Sequence, residues 1–326
     1  MKKIYFHIGY FKTGTTFLEE NLFSKHKDIN YVNKSNEKII TEIKYCIQNY
    51  TSTQFEENKN YLKQLVLKIK LKDKKANLVS AVGFTDVINF NYNKISIFQM
   101  LTRLRIIFSN KSFNLKLLLT IRKQEEFIKS RYSENIYKFY LINREWVNFK
   151  KLLNFFKSKN NVGFNFFRSI DYYNVCKYIS EKFKKNNFCL LLYEEFKNDE
   201  NKMIKKISEF LEINSFESKK FFLKKKRNLS IIKNGAYIPK NIKISNMVIK
   251  NIRNPLEILL NLKRKTKSFV IFIINYISFN LKYKKILNKP IKINKNEKND
   301  IIKYYKKINI KLEDLMKVKL KKYGYY

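Results

Sequence analysis

Hydrophobic residues gather along the chain in short runs that are rich in β-branched and aromatic side chains and are bounded by polar residues. Runs of about four to eight such residues are typical of strands that are buried on both faces of a sheet. The predicted strands are Lys3–Ile8, Asn77–Phe84, Leu115–Ile121 and Phe188–Tyr193.

The segments between these runs place apolar side chains at the three- and four-residue spacing of amphipathic helices. The predicted helices follow Gly14, continue from Arg122 to about Tyr140, and cover Tyr172–Phe183 and Lys202–Leu211. Short strands that alternate with helices predict an α/β fold of three layers, in which a central parallel sheet is flanked by helices.

The last quarter of the chain has a different pattern. No strand stands out beyond about Asn241, and helical spacing continues from there. We therefore predict a core over residues 1–240 and a mostly helical C-terminal extension over residues 241–326 that packs on the core.

Charge is the most unusual property of the composition. The 69 lysines and arginines against 27 acidic residues give a formal net charge of +42. Such an excess indicates an anionic ligand, a nucleic acid or a membrane surface as a partner. The positive residues are spread over nearly the whole length, however, as a lysine- and asparagine-rich translation of an A- and T-rich gene would also spread them. Both explanations stay open, whereas a hydrophobic content of 44% excludes wholesale disorder.

The cysteines and the longest apolar segments indicate in which cellular compartment the protein is expected. Cys46, Cys176 and Cys189 lie far apart in apolar surroundings, which indicates buried thiols in a reducing environment. The first apolar residues form a strand pattern and not a signal peptide. The segment Ser268–Leu281 is shorter than the roughly 20 residues of a spanning helix, so we expect it to pack on the core, with interfacial membrane contact as the alternative. A cytoplasmic protein is expected.

The loop after the first predicted strand carries the strongest chemical signal. A strand, a glycine-bearing loop and a helix together form a phosphate cradle, because loop N–H groups and the helix dipole face the anion. Gly9 and Gly14 have the spacing of the nucleoside triphosphatase loop G-x-x-x-x-G-K-[ST]. Thr15 stands where that loop has its lysine, and the cation has moved to Lys12. The loop therefore suits a 5′-phosphosulfate better than a triphosphate with magnesium.

This loop resembles the 5′-phosphosulfate loop of the sulfotransferase family, whose hallmark is Lys-[Thr/Ser]-Gly-Thr-Thr. The resemblance extends from His7 to Leu18, and clear similarity covers residues 1–25, 115–140, 188–213 and 300–326. It implies a P-loop-like sulfotransferase fold, a nucleotide-binding core, and 3′-phosphoadenosine 5′-phosphosulfate (PAPS) as the donor. The product would be 3′,5′-adenosine bisphosphate (PAP), and no metal is expected because lysine and arginine supply the positive charge.

The resemblance also assigns roles within the loop. Lys12 is expected to stabilise the bridging oxygen as the bisphosphate departs. The residues expected to bind the donor around the 5′-phosphate are Gly9, Lys12, Thr13, Gly14, Thr15 and Thr16.

A second anion site follows from the family pattern of an arginine at a strand end with a serine eight residues later. Arg122 follows the strand Leu115–Ile121, and Ser130 has the required spacing. An arginine fork suits phosphate oxygens, and eight residues span just over two helical turns. These two residues are expected to hold the 3′-phosphate. Arg227 is a weaker candidate for the same phosphate, because its surroundings depart from the Arg-Lys-Gly form of the family and equally fit a solvated charge run.

The general base for the acceptor is not evident. The family often places a His or Glu just after the strand predicted at Asn77–Phe84, but this sequence has Ala81 and Val82 there. Asp86 is the nearest replacement, and Glu37 and Glu42 are others. Of the two histidines, His7 is expected to support the core or the loop, and His26 to be exposed.

The sequence therefore predicts a bacterial-type sulfotransferase that transfers a sulfuryl group from PAPS to a hydroxyl or amine. The acceptor expected is a carbohydrate or glycoconjugate such as a glycolipid. The alternatives are a P-loop kinase-like nucleotide enzyme and a basic protein that binds nucleic acid or an anionic membrane. The kinase-like alternative lacks the lysine after Gly14 and an evident acidic metal-holding residue at a strand end.

Overall fold

A five-stranded parallel sheet forms the centre of the protein. The computed structural model describes residues 2–81, 84, 95–108, 113–157, 170–183, 185–223 and 293–326. The strands are β1 (Lys2–Gly9), β2 (Ile29–Tyr31), β3 (Ala76–Ser80), β4 (Phe113–Ile121) and β5 (Phe188–Leu192). Their order across the sheet is β2-β3-β1-β4-β5, and every neighbouring pair is parallel. The predicted α/β architecture is confirmed.

Helices flank this sheet and connect its strands, as parallel pairing requires. The α-helices in the described parts of the chain are Thr15–Leu18, Val32–Ser35, Glu37–Asn49, Ser52–Leu67, Ile97–Phe108, Gln124–Ile142, Phe149–Lys157, Tyr172–Lys182, Tyr193–Asn198, Glu200–Leu211, Ser215–Leu223 and Lys295–Met316. A π-helical turn, Glu19–Phe23, continues the first helix, and short 3₁₀ turns cover Arg144–Val147, Lys185–Asn187 and Lys321–Tyr323.

β1 is the most completely covered strand, because it lies between β3 and β4 and has helices on both faces. Its side chains are buried from Ile4 onward, with Phe6 paired to Val79 on β3 and to Leu117 on β4. Burial on both faces explains why this strand is a continuous apolar run and does not alternate between apolar and polar residues.

The order of the strands also defines where a ligand can bind. The chain leaves β1 toward β2 and β3 on one side, whereas it leaves β4 toward β5 on the other. In open parallel sheets, ligands bind outside the carboxyl ends of the two strands at which this direction reverses. Those ends are Gly9 and Ile121, so the crevice lies between the loop Gly9–Thr16 and Arg122.

The predicted strands agree with the observed ones within a few residues, except at β3. That strand ends at Ser80, four residues before the predicted Phe84, which lies in a turn and is fully buried. β2 was not predicted, because its three residues are too short to show a pattern. The predicted helices after Gly14, after Arg122, and at Tyr172–Phe183 are confirmed with small differences in their ends.

The chain divides into two compact units. The first consists of Met1–Phe127, Ser158–Asn228 and Lys298–Tyr326, and it contains the sheet and the glycine loop. The second consists of Ile128–Lys157 and Leu229–Glu297. In its described part, Tyr132 packs on the rings of Phe139 and Phe149, with centroid distances of 5.8 and 5.0 Å. The division into residues 1–240 and 241–326 stays a prediction.

Two further expectations concern the thiols and the membrane. All three cysteines are buried and free of disulfides, as predicted. In the part of the chain that the structure describes, no helix has the length and apolarity to cross a bilayer. The apolar segment Ser268–Leu281 lies outside the described residues.

Candidate active site

The glycine loop turns sharply because two of its residues have left-handed backbone conformations. Lys12 has φ 63° and Gly14 has φ 80°. At Gly9 the constraint is space: a Cβ there would lie 2.0 Å from Cγ2 of Thr15, so only glycine allows the loop to fold back on its own helix. Each glycine of the motif thus has its own physical reason, one steric and one torsional.

The three threonines of the loop differ in exposure. Thr13 is fully buried, and its hydroxyl donates a 2.5 Å hydrogen bond to the carbonyl oxygen of Tyr10. The Thr13 hydroxyl therefore shapes the loop, and any contact of Thr13 with a ligand would come from its backbone. Thr15 is also buried, whereas Thr16 is exposed and Lys12 half-buried.

Arg122 is fixed against this loop from the end of β4. Its Nη1 donates to the carbonyl oxygen of Lys12 at 3.1 Å, and its Nη2 lies 3.3 Å from Oε2 of Glu126. The guanidinium also stacks over the ring of Tyr193, with Cζ 4.8 Å from the ring centroid. Its Nε is buried and has no hydrogen-bond partner among the described residues. A buried donor of this kind next to a phosphate-type loop suits an anionic ligand.

The turn that carries Arg122 is held by Glu194, at the start of the helix Tyr193–Asn198. Oε1 of Glu194 accepts from the backbone N–H of Lys123 at 3.0 Å, and Oε2 accepts from the hydroxyl of Tyr325 at 2.8 Å. The carbonyl oxygen of Arg122 accepts from the hydroxyl of Tyr172 at 2.9 Å. Burial raises the pKa of Glu194, while the bonds from Lys123 and Tyr325 act in the opposite direction. These contacts fix the backbone on both sides of Arg122.

A second buried contact joins the same turn to the C-terminal segment. The side-chain amides of Gln124 and Asn309 bond to each other at 2.9 and 3.1 Å, and Asn309 also donates to the carbonyl oxygen of Tyr325 at 3.0 Å. Sequence reasoning included this segment in the resemblance but gave it no role. The structure makes it the support of the Arg122 turn.

His7 lies in the middle of the sheet and joins three strands. Its Nδ1 is 3.0 Å from the hydroxyl of Ser80 on β3, and its Nε2 is 3.0 Å from the hydroxyl of Thr120 on β4. Complete burial lowers the pKa of His7 to about 3, so the ring is neutral near pH 7. The predicted supporting role of His7 is confirmed.

The other histidine, His26, is buried, although the sequence predicted it to be exposed. His26 is 2% exposed and not on the surface. Its Nε2 donates to the carbonyl oxygen of Asn214 at 3.1 Å, and its Nδ1 accepts from the backbone N–H of Asp28 at 3.2 Å. The helix Ser215–Leu223 packs here with Phe221 against the imidazole ring, so the expectation of an exposed His26 is wrong.

Glu19, on the π-helical turn after the loop, was not singled out from the sequence. Its side chain is half-buried. Burial raises the pKa of Glu19, and the nearby ammonium of Lys44 opposes that rise. The carboxylate in turn contributes to the raised pKa of Tyr31, of which burial is the main cause.

A cavity of about 300 Å³ lies between the end of β2 and the helix Glu37–Asn49. Its lining is mostly polar and consists of Tyr31, Asn33, Lys34, Glu37, Ile40, Thr41 and Lys44. Asn33 holds the end of β3, because its side chain bonds to both the carbonyl oxygen and the N–H of Ser80 at 2.8 Å.

The roles of the remaining predicted site residues stay predictions. Ser130 belongs to the second unit, on the helix Gln124–Ile142, and is partly buried. Asp86 and Arg227 lie outside the described residues. Of the other acids proposed as base, exposed Glu37 lines the cavity, and Glu42 accepts a 2.5 Å hydrogen bond from Tyr61 on the surface.

Comparison with known proteins identifies the family. The sequence model of the sulfotransferase domain matches residues 5–253, which is most of the chain. The chain therefore belongs to the sulfotransferase domain family, and the protein is a sulfotransferase enzyme.

Two solved structures are similar to it at low identity. A sulfotransferase from Alicyclobacillus acidocaldarius is 14% identical, with 66% of this chain and 83% of that chain covered and a TM-score of 0.42. The sulfotransferase domain of the olefin synthase from Synechococcus PCC 7002 is 11% identical, with 65% and 74% covered and a TM-score of 0.36. No curated protein sequence matches the chain.

Proposed function

We propose that the donor of the sulfuryl group is PAPS and that it binds in the crevice between the loop Gly9–Thr16 and Arg122. The contact between Nη1 of Arg122 and the carbonyl oxygen of Lys12, at 3.1 Å, carries this proposal. It brings two cationic residues from different strands to the same crevice. A donor with separate 5′- and 3′-phosphate groups needs two such anchors, whereas a simple phosphosulfate needs one.

The roles of the chain's own residues follow from their chemistry. The backbone N–H groups at Gly14, Thr15 and Thr16 begin a helix and bind the 5′-phosphate. Lys12 stabilises negative charge on the bridging oxygen of the leaving group, which is the demand that sulfuryl transfer shares with phosphoryl transfer. Arg122 binds the 3′-phosphate. The contributions of Ser130 and Arg227 to the same phosphate, and that of Asp86 as base, stay predictions from the family resemblance.

The acceptor proposed is a hydroxyl or amine of a carbohydrate or glycoconjugate. The polar lining of the cavity between β2 and the helix Glu37–Asn49 supports this class, because hydroxyl, amide, ammonium and carboxylate groups can all bond to a sugar. A cytoplasmic location is proposed with it, from the free buried thiols.

Thermal stabilisation by nucleotides tests the donor. We expect PAP to raise the melting temperature, because a ligand that binds only the folded state stabilises it by mass action. Lys12→Ala and Arg122→Ala should each reduce that rise. Parallel samples with ATP and magnesium, or with duplex DNA at physiological salt, represent the two alternatives. No response to PAP together with salt-sensitive DNA binding would overturn the proposal.

A further inference from the structure

The helix Tyr193–Asn198 starts directly after β5, beside the turn that bears Arg122. β5 pairs with β4, so the residues that follow these two strands come out next to each other at one edge of the sheet. Glu194, the second residue of the helix, accepts from the backbone N–H of Lys123 at 3.0 Å. Tyr193, the first residue, contacts the side chain of Arg122. The start of this helix thus contacts both the backbone and the side chain of the turn.

The ring of Tyr193 holds one face of the Arg122 guanidinium. Cζ of the arginine lies over the ring, 4.8 Å from its centroid. The edge of the same guanidinium is held by the carbonyl oxygen of Lys12 at 3.1 Å and by Oε2 of Glu126 at 3.3 Å. Two oxygens fix positions along the edge of the cation, whereas an aromatic face fixes its plane, by stacking and by attraction of the charge. The ring therefore completes the fixation of Arg122.

The same ring also borders the glycine loop. A Cβ on Gly14 would lie 3.5 Å from Cδ2 and Cε2 of Tyr193, and 3.5 Å from Cδ1 of Phe196. The two aromatic residues therefore flank the side of Gly14 on which other residues carry a side chain. Phe196 packs in turn on Phe17 of the first helix, with ring centroids 5.0 Å apart. Tyr193 thus contacts Arg122 and borders the loop residue whose left-handed backbone forms the turn.

A residue that only filled space here could be leucine as well as tyrosine. Tyr193 is half-buried and packs at the border of the apolar core. Leucine would keep that apolar packing, but it has no flat ring face to offer to a guanidinium. Substitution can therefore separate a role in holding Arg122 from a role in packing alone.

We propose that Tyr193 is a positioning residue that joins the two anchors of the donor site, the loop Gly9–Thr16 and Arg122. This inference rests on the proposed function, in which the loop binds the 5′-phosphate and Arg122 the 3′-phosphate. Because one ring contacts Arg122 and borders the loop, the distance between the anchors is set before the donor arrives. A site prepared in this way loses less freedom on binding, so it favours a nucleotide with both phosphates over a nucleotide with one.

The test compares two ligands that differ by a single phosphate group. Isothermal titration calorimetry gives the Kd of PAP and the Kd of 5′-AMP, and the ratio of the two constants measures what the 3′-phosphate contributes. Tyr193→Leu should reduce this ratio by about 10-fold, the size of a cation–π contact that is largely shielded from water. A general loss of structure would weaken both ligands alike and leave the ratio unchanged.

Further variants make the result independent of one substitution. Tyr193→Met keeps much of the packed volume without the ring and should reduce the ratio as Tyr193→Leu does. Tyr193→Phe keeps the ring face and should keep the ratio. Phe196→Leu removes the other ring beside Gly14, so it should weaken both ligands alike and leave the ratio unchanged.

Tyr173→Leu is the matched control for the loss of a tyrosine. Tyr173 is half-buried on the helix Tyr172–Lys182, and Nζ of Lys311 lies 5.8 Å from its ring centroid. The variant therefore also removes a ring that faces a cation, and it should change neither Kd.

The ratio also separates failure of this inference from failure of the proposed function. If Tyr193→Leu and Tyr193→Met keep the wild-type ratio, or if Tyr193→Phe loses as much as they do, the ring does not position Arg122. If the wild-type protein binds PAP no more tightly than 5′-AMP, the 3′-phosphate site of the proposed function is wrong, and this inference falls with it.

Discussion

Nη1 of Arg122 donates to the carbonyl oxygen of Lys12 at 3.1 Å. The residue that follows β4 thus holds the loop that follows the neighbouring strand β1. The bond joins two residues that are distant in sequence at the place where the order of strands reverses. Arg122 supports the backbone of Lys12 with Nη1, while its buried Nε has no hydrogen-bond partner among the described residues.

Replacement of Arg122 by lysine should separate charge from geometry. Lysine keeps the positive charge but has neither the fork that reaches the Lys12 carbonyl nor the plane that stacks on Tyr193. We expect Arg122→Lys to weaken PAP binding by about 10- to 100-fold, the range of a lost charge-assisted hydrogen bond. Isothermal titration calorimetry measures the change. Arg105→Lys, at an exposed position on another helix, is the control and should bind as the wild type.

The two loop glycines should respond differently to alanine. Gly9→Ala would place a methyl group 2.0 Å from Cγ2 of Thr15, so the loop must shift and PAP binding should be lost. Gly14→Ala meets only ordinary contacts at 3.5 Å but has φ 80°, so we expect a strain of about 1 kcal/mol and weakened binding. Melting curves with and without PAP measure both effects. Equal binding by the two variants would contradict the steric account of Gly9.

Lys12→Met should reduce turnover more than donor binding. The side chain is assigned to charge that develops as the leaving group departs, so its removal acts mainly on kcat, by about 100- to 1,000-fold. Steady-state kinetics with labelled PAPS separate kcat from KM. Lys38→Met, an exposed lysine on the helix Glu37–Asn49, should change neither value. A purely KM effect at Lys12 would show that it binds the ground state only.

Tyr325→Phe should destabilise the protein in a pH-dependent way. The variant leaves one oxygen of buried Glu194 without its donor, at a cost of about 1–3 kcal/mol. Burial already raises the pKa of Glu194 above 4.5, so the folded state holds this proton more strongly than the unfolded state does. Stability from this group falls as pH rises from 4.5 through the raised pKa. The Tyr325 hydroxyl opposes the rise in pKa because it favours the ionised carboxylate, so its loss should cost more stability at pH 7.5 than at pH 5.

Urea unfolding at the two pH values measures that difference. Tyr326→Phe, at the neighbouring and partly exposed tyrosine, is the matched control. A loss of equal size at both pH values would contradict the role of Glu194.

His7 should make the protein sensitive to acid. Its pKa is about 3 in the folded state because of burial, against 6.5 for an unperturbed histidine. Between these values the unfolded state binds the proton and the folded state does not, so stability falls as pH decreases from 6.5 toward 3. The contribution approaches about 1.4 kcal/mol per pH unit. His7→Gln should reduce the slope of unfolding free energy against pH, measured by denaturant titration between pH 7 and pH 5. An unchanged slope would contradict the assignment.

The elements that could be predicted from the sequence are those with local patterns. β1, β4 and β5 are apolar runs, and the glycine loop is a contiguous motif. These strands and this loop could therefore be predicted without knowledge of distant contacts. The three residues of β2 have no such pattern, since Ile29–Tyr31 is assigned to the sheet only by its pairing with β3. The early end of β3 depends likewise on Asn33, which bonds to both backbone groups of Ser80.

The candidate site was predictable where one segment carries the chemistry and unpredictable where distant segments combine. Lys12 and Arg122 each follow a recognisable strand, so each could be placed on its own. Arg122 shows its support only when Glu194 and Tyr172 are brought to the turn that bears it. The role of Gln124 depends on Asn309, 185 residues later. A pairing between residues so far apart leaves no periodic pattern in the sequence, so it could not be predicted.

The pairing of Gln124 with Asn309, and of Glu194 with Tyr325, has a consequence for biosynthesis. The strands and the glycine loop leave the ribosome long before residues 309–325 are translated, yet the turn that bears Arg122 is braced in part by those residues. Because contacts of such long sequence separation form late and slowly, the nascent chain must keep an incomplete crevice until translation has passed Tyr325. We therefore expect the crevice proposed for the donor to reach its final form late in folding, after residues 309–325 have joined it.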